Sequence, residues 1–157
     1  MNIIIKRAKP ENVKDLQAFV YSLMKYEYKH FDKTTDTKWA KSKPCEKYFK
    51  KRVESRNSIA LLAFDGKKIA GYLSGEIGKA NLWRKMKIHG ELADMFVEEK
   101  YRNKKVGTLL MEEFLKWAKK RKATTVEVKA YAGNDIACSF YRKHGFEDYT
   151  MVFEKKL

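Results

Sequence analysis

The sequence predicts an α/β fold with a mixed central β-sheet flanked by about four helices. Short β-branched and apolar runs alternate with longer stretches whose apolar residues recur every three or four positions, the spacings of strands and helices. Asp65-Gly66 stands between two apolar runs and is typical of a hairpin turn. Strands and helices alternate after this hairpin, which favours helices on both faces of the sheet. We expect the order β-α-α-β-β-β-α-β-α-β in a single domain over residues 1–157.

The first half of the chain is expected to hold two helices and three strands. In chain order these are a strand at Ile3-Ile4-Ile5, a helix from Pro10 to near Tyr28, a loop over 29–43, a helix from Pro44, and strands over 59–64 and 69–76. The first helix depends on an apolar stripe of helical period, formed by Val13, Leu16, Val20 and Leu23. Gly71 and Gly75 predict a bulge or a close backbone approach in the last strand.

The second half alternates strand and helix. We expect a strand over Ile88–Val97, a helix over 106–122, a strand over 124–130, a helix that begins at Asn134 or Asp135 and ends at Gly145, and a final strand over 146–153. The stretch 77–87 holds a glycine, a tryptophan and several lysines, and either a loop or a ragged strand extension fits it.

The chain is strongly basic, with 35 Lys and Arg against 20 Asp and Glu and a net charge of +15. Such an excess is typical of proteins that bind nucleic acid or acidic substrates, and also of some solvated surfaces. The lysines are spread along the whole chain, and their densest groups lie within 41–51, 100–105 and 116–122. Only the second group coincides with a predicted anion site, so general nucleic-acid binding is disfavoured.

The lengths of the apolar runs and the spacing of the cysteines indicate the cellular compartment. No apolar run approaches the roughly 20 residues that span a bilayer, and the first six residues do not resemble a signal peptide. We therefore expect a cytoplasmic protein. Cys45 and Cys138 fit neither a metal-ligand spacing nor a disulfide framework, so we expect free thiols and no metal.

Residues 92–110 form a strand, a basic loop and a helix start, an arrangement suited to binding an anion. Backbone N–H groups in the first turn of a helix lack intrahelical partners, and the helix dipole adds positive charge there. Gly107 would let the backbone approach a phosphate, and Arg102, Lys104 and Lys105 add side-chain charge. The spacing matches neither the P-loop pattern G-x-x-x-x-G-K-[ST] nor the dinucleotide-binding pattern G-x-G-x-x-G.

Arg102-x-x-Lys105-x-Gly107 resembles motif A of the GNAT superfamily of N-acetyltransferases, which is usually Arg/Gln-x-x-Gly-x-Gly/Ala. Lys105 departs from the motif, because a Cβ stands where the family has glycine. The substitution keeps the backbone amide and adds a positive charge.

The segment Asn134-x-x-Ala137-x-x-Phe140-Tyr141-x-x-x-Gly145-Phe146 resembles motif B of the same superfamily at every anchor. The resemblance covers residues 55–157 well and the N-terminal third by element order only. It implies a single GNAT N-acetyltransferase domain that takes acetyl-CoA as co-substrate, uses no metal, and transfers acetyl to a primary amine by direct attack in a ternary complex. It also implies dimerisation through sheet edges.

The resemblance assigns a cofactor role to eleven residues. These are Met95, Phe96, Val97, Arg102, Asn103, Lys104, Lys105, Val106, Gly107, Thr108 and Asn134. The two motif strands are expected to run parallel and then splay, which exposes backbone groups to the pantetheine arm. Asn134 could serve the cofactor, cap its helix, or do both.

Tyr141 is implied as the proton donor to the leaving thiolate, and the alternative is a packed aromatic beside Phe140. Glu91 and Asp94 are candidate bases for the attacking amine. In a regular strand they would point to opposite faces, although a bulge would change this parity. We favour Glu91, and a water relay that uses neither is also open. Cys138 is expected to be a half-buried thiol, and His89 and His144 to be structural.

Two other functions compete with this hypothesis. One is a GNAT-like module that binds acyl-CoA as a sensor without catalysis, and the other is a basic nucleic-acid-associated protein. The acceptor stays open among a polyamine, an aminoglycoside-like amine, an amino acid, and a protein N-terminus or lysine. Five aromatic residues could line the acceptor groove or belong to the core, namely Tyr26, Tyr28, Phe31, Trp39 and Trp83.

Overall fold

The structure is a computed structural model that describes residues 2–85 and 88–157. The strands are β1 Ile3–Arg7, β2 Ser58–Asp65, β3 Lys68–Lys79, β4 Ile88–Val97 and β5 Thr125–Val128. The helices are α1 Val13–His30, α2 Lys43–Glu54, α3 Val106–Lys120 and α4 Asp135–Lys143, with 3-10 turns at Pro10–Asn12, Thr37–Lys41 and Glu99–Tyr101. Within the described residues, no helix is both long and apolar enough to cross a membrane.

The five strands form one mixed sheet in the order β1-β2-β3-β4-β5. The first four strands pair antiparallel, and β5 pairs parallel to β4. The predicted hairpin is present, with Gly66 at a φ of 60° in the turn between β2 and β3. The predicted mixed sheet flanked by four α-helices is therefore confirmed for the part of the chain that the structure describes.

Apolar side chains cover both faces of the sheet. On one face α1 and α2 bury Leu16 and Phe49 against Tyr72 of β3. On the other face α3 buries Leu110 and Phe114 against Leu73. The close approach predicted for Gly75 lies on this second face, where a Cβ would overlap the Phe114 ring and lie 2.7 Å from the Glu91 carbonyl oxygen.

Several predicted boundaries differ from the structure. The loop over 29–43 contains the 3-10 turn Thr37–Lys41, because the Asp36 side chain accepts a hydrogen bond from the Lys38 amide and caps it. The hairpin strand continues to Lys79, so the first part of the stretch 77–87 is strand. Residues 86 and 87 of that stretch lie outside the described residues.

The predicted final strand over 146–153 is wrong, because these residues are not part of the sheet. Residues 147–157 are exposed and irregular, and the structure gives them no strand pairing. We call this segment the C-terminal arm. Its β-branched and aromatic residues have strand propensity, but a strand forms only where a neighbour supplies hydrogen bonds, and within the described residues β5 is not paired with the arm.

Candidate functional site

The candidate site lies where β4 and β5 separate. Their parallel pairing runs from His89 opposite Thr125 to Leu92 opposite Val128 and continues no further. The expected splay is therefore confirmed. Residues 93–97 of β4 extend beyond the end of this pairing, which leaves that edge of the strand facing a gap.

A β-bulge lies at the start of this gap. Ser74 is opposite Asp94 and Gly75 is opposite Leu92, so Ala93 is an additional residue in β4. A bulge reverses the face on which later side chains point. The opposition of Glu91 and Asp94 that a regular strand would give is therefore absent, and the alternative of a bulge that changes the parity is the one observed.

Contacts with α2 confirm that the two carboxylates share a face. Glu91 is opposite Glu76, whose carboxylate lies 3.2 Å from the Arg52 guanidinium of α2. Asp94 accepts a hydrogen bond from the Tyr48 hydroxyl of α2 at 3.4 Å. Cα partners in an antiparallel pair share a face, so Glu91 and Asp94 both lie on the α2 side.

Asp94 is a half-buried carboxyl held by hydroxyl donors. The Ser74 hydroxyl donates to its Oδ2 at 2.7 Å, and Arg52 supports the arrangement by donating to the Tyr48 hydroxyl at 2.8 Å. Burial raises the pKa of Asp94, while Ser74, Arg52 and Tyr48 oppose that rise. Burial also raises the pKa of Tyr48 to about 12, so this phenol stays a donor.

Glu27 of α1 is a site residue that sequence reasoning missed. Its pKa is raised from 4.5 to about 7, first by burial and then by the negative charges of Asp94 and Asp32. A signal was present in the sequence, because Glu27 stands four residues after Leu23 and continues the apolar stripe of α1. A carboxyl at a position that the helix turns inward is a candidate for function.

Tyr141 of α4 is half-buried and packs against neighbouring aromatic rings. Its ring contacts Phe140 and Phe146 at centroid distances of 5.6 and 5.7 Å. Burial raises its pKa to about 12, and the charges of Asp94, Cys138 and Glu27 add to the rise. Charged groups of α1 and β4 therefore raise the pKa of a phenol on α4.

The loop before α3 is suited to an anion. Asn103 and Lys105 have φ values of 60° and 62°, and Lys105 is the N-cap residue without a side-chain capping bond. The first turn of α3 contains no acidic residue, and Asn103, Lys104 and Lys105 are exposed. Uncapped amides and unopposed cations at a helix N-terminus fit a diphosphate. Lys105 thus adopts the left-handed backbone that explains why glycine is usual at this position.

Gly107 and Thr108 contact α4. A Cβ on Gly107 would lie 3.3 Å from the Phe140 ring, so its missing side chain makes room for helix packing. The Thr108 hydroxyl lies 3.2 Å from His144 Nε2, and His144 Nδ1 lies 2.8 Å from the Phe140 carbonyl oxygen. His144 therefore joins the start of α3 to the end of α4. The buried Val106 packs in the core below this contact.

Arg102 points toward α1. Its Nε donates to the Val97 carbonyl oxygen at 3.1 Å, and its guanidinium lies between the rings of Tyr26 and Phe96 at 5.3 and 5.5 Å. The Val97 carbonyl, which was expected to serve the cofactor, thus already has a donor. Arg102 also lines a cavity of about 520 Å³ whose other walls are Lys25, Tyr26, Lys29, His30, Phe96 and Glu99.

The remaining polar candidates have structural contacts. The Asn134 side chain accepts from the Ala137 amide at 3.1 Å, so its capping role is confirmed and its cofactor role stays a prediction. His89 lies 3.1 Å from the Thr125 hydroxyl and 3.2 Å from Glu127, and so links β4 to β5. Cys138 is half-buried and free, as expected. Across the described residues, no group of three His, Cys, Asp or Glu side chains is placed to hold a metal ion.

The aromatic candidates divide into three groups. Trp39 packs against the core beside Tyr48, at a centroid distance of 5.9 Å. Tyr26, Phe31 and Tyr131 form a second cluster at the end of α1, in which Phe31 stacks on Tyr131 at 5.5 Å. Tyr28 and Trp83 are exposed.

The sequence and the fold of this chain have counterparts among known proteins. The family described as "Acetyltransferase (GNAT) family" matches residues 20–146, and the chain belongs to that family. Streptothricin acetyltransferase A of Bacillus subtilis is 30% identical over 107 residues, which are 67% of this chain and 60% of that protein. An uncharacterized N-acetyltransferase of Methanocaldococcus jannaschii is 34% identical over 62 residues, 40% of this chain and 27% of that protein. The chain therefore spans under two thirds of either relative.

Solved structures confirm the fold. A variant of the BH1408 protein from Bacillus halodurans has a TM-score of 0.86 at 20% identity, covering 98% of this chain and 99% of that chain. The aminoglycoside acetyltransferase AAC(6')-Iy in complex with a CoA bisubstrate analog has a TM-score of 0.76 at 11% identity, covering 100% and 99%. An aminoglycoside acetyltransferase from a soil metagenomic sample, in complex with sisomicin, has a TM-score of 0.70 at 19% identity, covering 99% and 96%.

Proposed function

We propose that the chain is an acetyl-CoA-dependent N-acetyltransferase whose acceptor is a primary amine on a small cationic molecule. The observation that carries the proposal is that the charge of Asp94 beside the end of the β4–β5 pairing raises the pKa of both Glu27 and Tyr141. Family membership supports the reaction class. The similarity to a streptothricin acetyltransferase and the aminoglycoside acetyltransferase neighbours support an amine-rich small acceptor.

Acetyl-CoA would supply the thioester and the leaving thiolate. The strand edge formed by Met95, Phe96 and Val97 would hold the pantetheine amides as an added strand would. Arg102 would release or share the Val97 carbonyl oxygen in the complex. The α3 N-terminus would hold the diphosphate through its amides, with Lys104 and Lys105 adding charge.

The acceptor side of the site is locally acidic in a basic protein. With a net charge of +15, the surface as a whole repels an ammonium group. After burial, the negative charge of Asp94 is the largest cause of the raised pKa of Glu27, as expected for two neighbouring carboxyls. A protonated amine would satisfy both carboxylates, and this favours a cationic acceptor.

Glu27 is the proposed base. An amine attacks a carbonyl carbon only after losing its proton, and a carboxylate with a pKa of about 7 can accept that proton near neutral pH. Asp94, held by Ser74 and Tyr48, would orient the ammonium form. Tyr141, whose pKa is about 12, would remain protonated and donate to the sulfur as the carbon–sulfur bond breaks. Glu91 remains a second candidate for the base, since it shares this face of β4.

A silent acyl-CoA sensor is the second candidate function. Two observations favour it, namely the strained backbone of Lys105 and the occupation of the Val97 carbonyl by Arg102. Both concern the cofactor end, so cofactor binding and turnover must be measured separately.

The deciding experiment has two stages. The first is calorimetric titration with acetyl-CoA and with dephospho-CoA. The second is a thiol-release assay with a streptothricin, an aminoglycoside, spermidine and a lysine peptide as acceptors. Binding with turnover on the cationic small molecules is the expected result. Binding without turnover on any acceptor would favour the sensor, and no binding would overturn both functions.

Glu27→Gln tests the base within the same assay. For the wild type, kcat/KM should rise with pH through a midpoint of about 7, because Glu27 accepts a proton only when ionised. The variant should lose this rise of kcat/KM with pH and should retain acetyl-CoA affinity. Glu91→Gln is the matched control. If this variant, and not Glu27→Gln, lost the rise of kcat/KM with pH, the general base would be Glu91.

A further inference from the structure

The cavity of about 520 Å³ at the end of α1 is basic, and we call it the basic cavity. Its walls come from α1, from the end of β4 and from the turn that follows β4. Among the described residues that line it, three cationic side chains, Lys25, Lys29 and Arg102, face a single carboxylate, Glu99. An excess of two positive charges around one cavity is unfavourable unless an anion enters it.

The cations of the basic cavity converge from two distant segments. Lys25 and Lys29 are one turn apart on α1, and like charges at this spacing destabilise a helix. The helix dipole favours a cation in the last turn, which accounts for Lys29 but not for Arg102, since Arg102 follows β4. Among the described residues, no ion pair joins Glu99 to any of these three side chains. The charges around the cavity are therefore not balanced within the protein.

Arg102 is held at the wall of the basic cavity by one side of its guanidinium. The Val97 carbonyl oxygen accepts a hydrogen bond from its Nε at 3.1 Å, and the Tyr26 and Phe96 rings lie 5.3 and 5.5 Å from it. Within the part of the chain that the structure describes, its two terminal nitrogens have no hydrogen-bond or ion-pair partner. A guanidinium held in this way is suited to two-point binding of an oxyanion.

The basic cavity is separate from the α3 N-terminus that is proposed for the cofactor diphosphate. Phe96, which lines the cavity, packs against the core cluster of α1 and α2. Val106 and Gly107 at the start of α3 contact the core and the Phe140 ring on the opposite face of the sheet. An anion in the basic cavity and a diphosphate at α3 would therefore lie on different faces.

We propose that the basic cavity binds the phosphate monoester of a small metabolite, as a ligand additional to acetyl-CoA. A phosphate monoester carries about two negative charges near neutral pH, which matches the excess charge of the cavity. Its three terminal oxygens can accept from Arg102, Lys25 and Lys29 together, whereas a carboxylate offers two oxygens and one charge. A volume of about 520 Å³ is that of a small-molecule site and leaves room for the organic part of the ester.

The first test is a titration of isotope-labelled protein with inorganic phosphate, followed by NMR. Saturating CoA fills the α3 N-terminus, sodium chloride keeps the ionic strength constant, and a pH of about 8 keeps the phosphate mostly dianionic. Amides of residues 25–30 and 99–102 should shift saturably, and those of residues 105–108 should not. If CoA does not bind, the free protein is titrated and the same two groups of amides report separately. Absence of a saturable shift in residues 25–30 and 99–102 would overturn the proposal.

A double variant with Lys25→Gln and Lys29→Gln tests the cations. Phosphate should bind about tenfold more weakly, because charge-assisted hydrogen bonds are lost. The matched control carries Lys119→Gln and Lys120→Gln, which remove two exposed charges from the end of α3. This control should keep wild-type phosphate affinity. Equal weakening in both double variants would show that phosphate responds to net charge alone, and the site would be rejected.

A comparison of CoA with dephospho-CoA identifies the source of the phosphate. Calorimetry measures the ratio of the two affinities in the wild type and in the variant that lacks the Lys25 and Lys29 charges. We expect the same ratio in both proteins, because the monoester in the basic cavity is not that of the cofactor. A preference for CoA that disappears in this variant alone would assign the basic cavity to the cofactor phosphate and overturn the proposal of an additional ligand.

Discussion

The Ser74 hydroxyl donates a 2.7 Å hydrogen bond to Asp94 at the point where the register between β3 and β4 shifts. The bulge that turns Asp94 toward α2 therefore also places it beside its strongest donor. Backbone irregularity and carboxylate support arise at the same position, and the acceptor end of the site depends on both.

Ser74→Ala should weaken this end of the site. Ser74 is fully buried and lowers the pKa of Asp94, so its removal should raise that pKa further and cost about 1–3 kcal/mol of unfolding free energy. Denaturant titration measures the loss, and the acceptor KM should rise while the acetyl-CoA KM stays constant. Ser22→Ala removes an exposed hydroxyl on α1 and is the control. Equal stability of the two variants would contradict the support role.

Tyr141→Phe should lower kcat about 10²-fold and leave acetyl-CoA affinity unchanged. The ring packing against Phe140 and Phe146 survives this change, and only the proton donor is lost. Steady-state kinetics and calorimetry on the same preparation separate the two effects. Tyr21→Phe, at a partly buried tyrosine of α1 outside the site, is the matched control. An unchanged kcat would remove Tyr141 from the reaction.

Glu27→Gln should stabilise the protein at high pH. Because the folded-state pKa of about 7 lies above the unfolded value of 4.5, the free energy of unfolding falls as pH rises through this window. The variant escapes this loss and should gain about 1–2 kcal/mol at about pH 8 after allowance for solvent screening. At about pH 4 the Glu27 carboxyl of the wild type is mostly protonated in the folded and the unfolded state. The difference in stability between wild type and variant should therefore vanish.

Glu46→Gln provides the control with the opposite sign. Lys50 and Lys14 lower the pKa of Glu46, so its contribution to stability is present above its unfolded pKa and is lost as pH falls. Its replacement should slightly reduce stability at high pH. Thermal melts of both variants across the same pH series would show whether the raised pKa belongs to Glu27.

Lys105→Gly should stabilise the protein by about 1 kcal/mol, because glycine adopts the left-handed backbone without the steric cost that a Cβ adds. Lys105→Ala removes the same charge but keeps the Cβ, so it should bring no such gain. Lys122→Gly relieves a similar φ of 66° after α3 and should stabilise without altering cofactor affinity. Calorimetry should show weaker acetyl-CoA binding at low salt for both Lys105 variants, since each loses one charge near the phosphates.

The fold was predictable because local signals and tertiary structure agree. Glycine at the hairpin turn, the apolar stripe of α1 and the two motif segments each specify an element independently of distant contacts. The irregular C-terminal arm was not predictable in the same way, because strand propensity at Val152 and Phe153 does not reveal whether a neighbouring strand is available to pair with.

Side-chain direction at the site was less predictable than the fold. Strand alternation placed Glu91 and Asp94 on opposite faces, and only the extra residue Ala93 brings them together. Gly107 was expected to admit phosphate, whereas the Phe140 ring occupies the space beside it. A Gly107→Glu variant would thus disturb α4 as well as any anion site. Side-chain direction and local space are decided by contacts between segments that are distant in sequence. The spacing of residues within one segment does not predict these contacts.

The two faces of the sheet draw on separate stretches of the chain. Glu27 and Tyr48, on the acceptor side of the proposed site, come from helices that precede β2, whereas Asp94 and the proposed cofactor segments follow β3. Exchanging α1 and α2 with those of a relative would then be expected to redirect the enzyme to another amine while its acetyl donor stayed the same. Such a chimera would bind acetyl-CoA as one parent does and would have the acceptor specificity of the other.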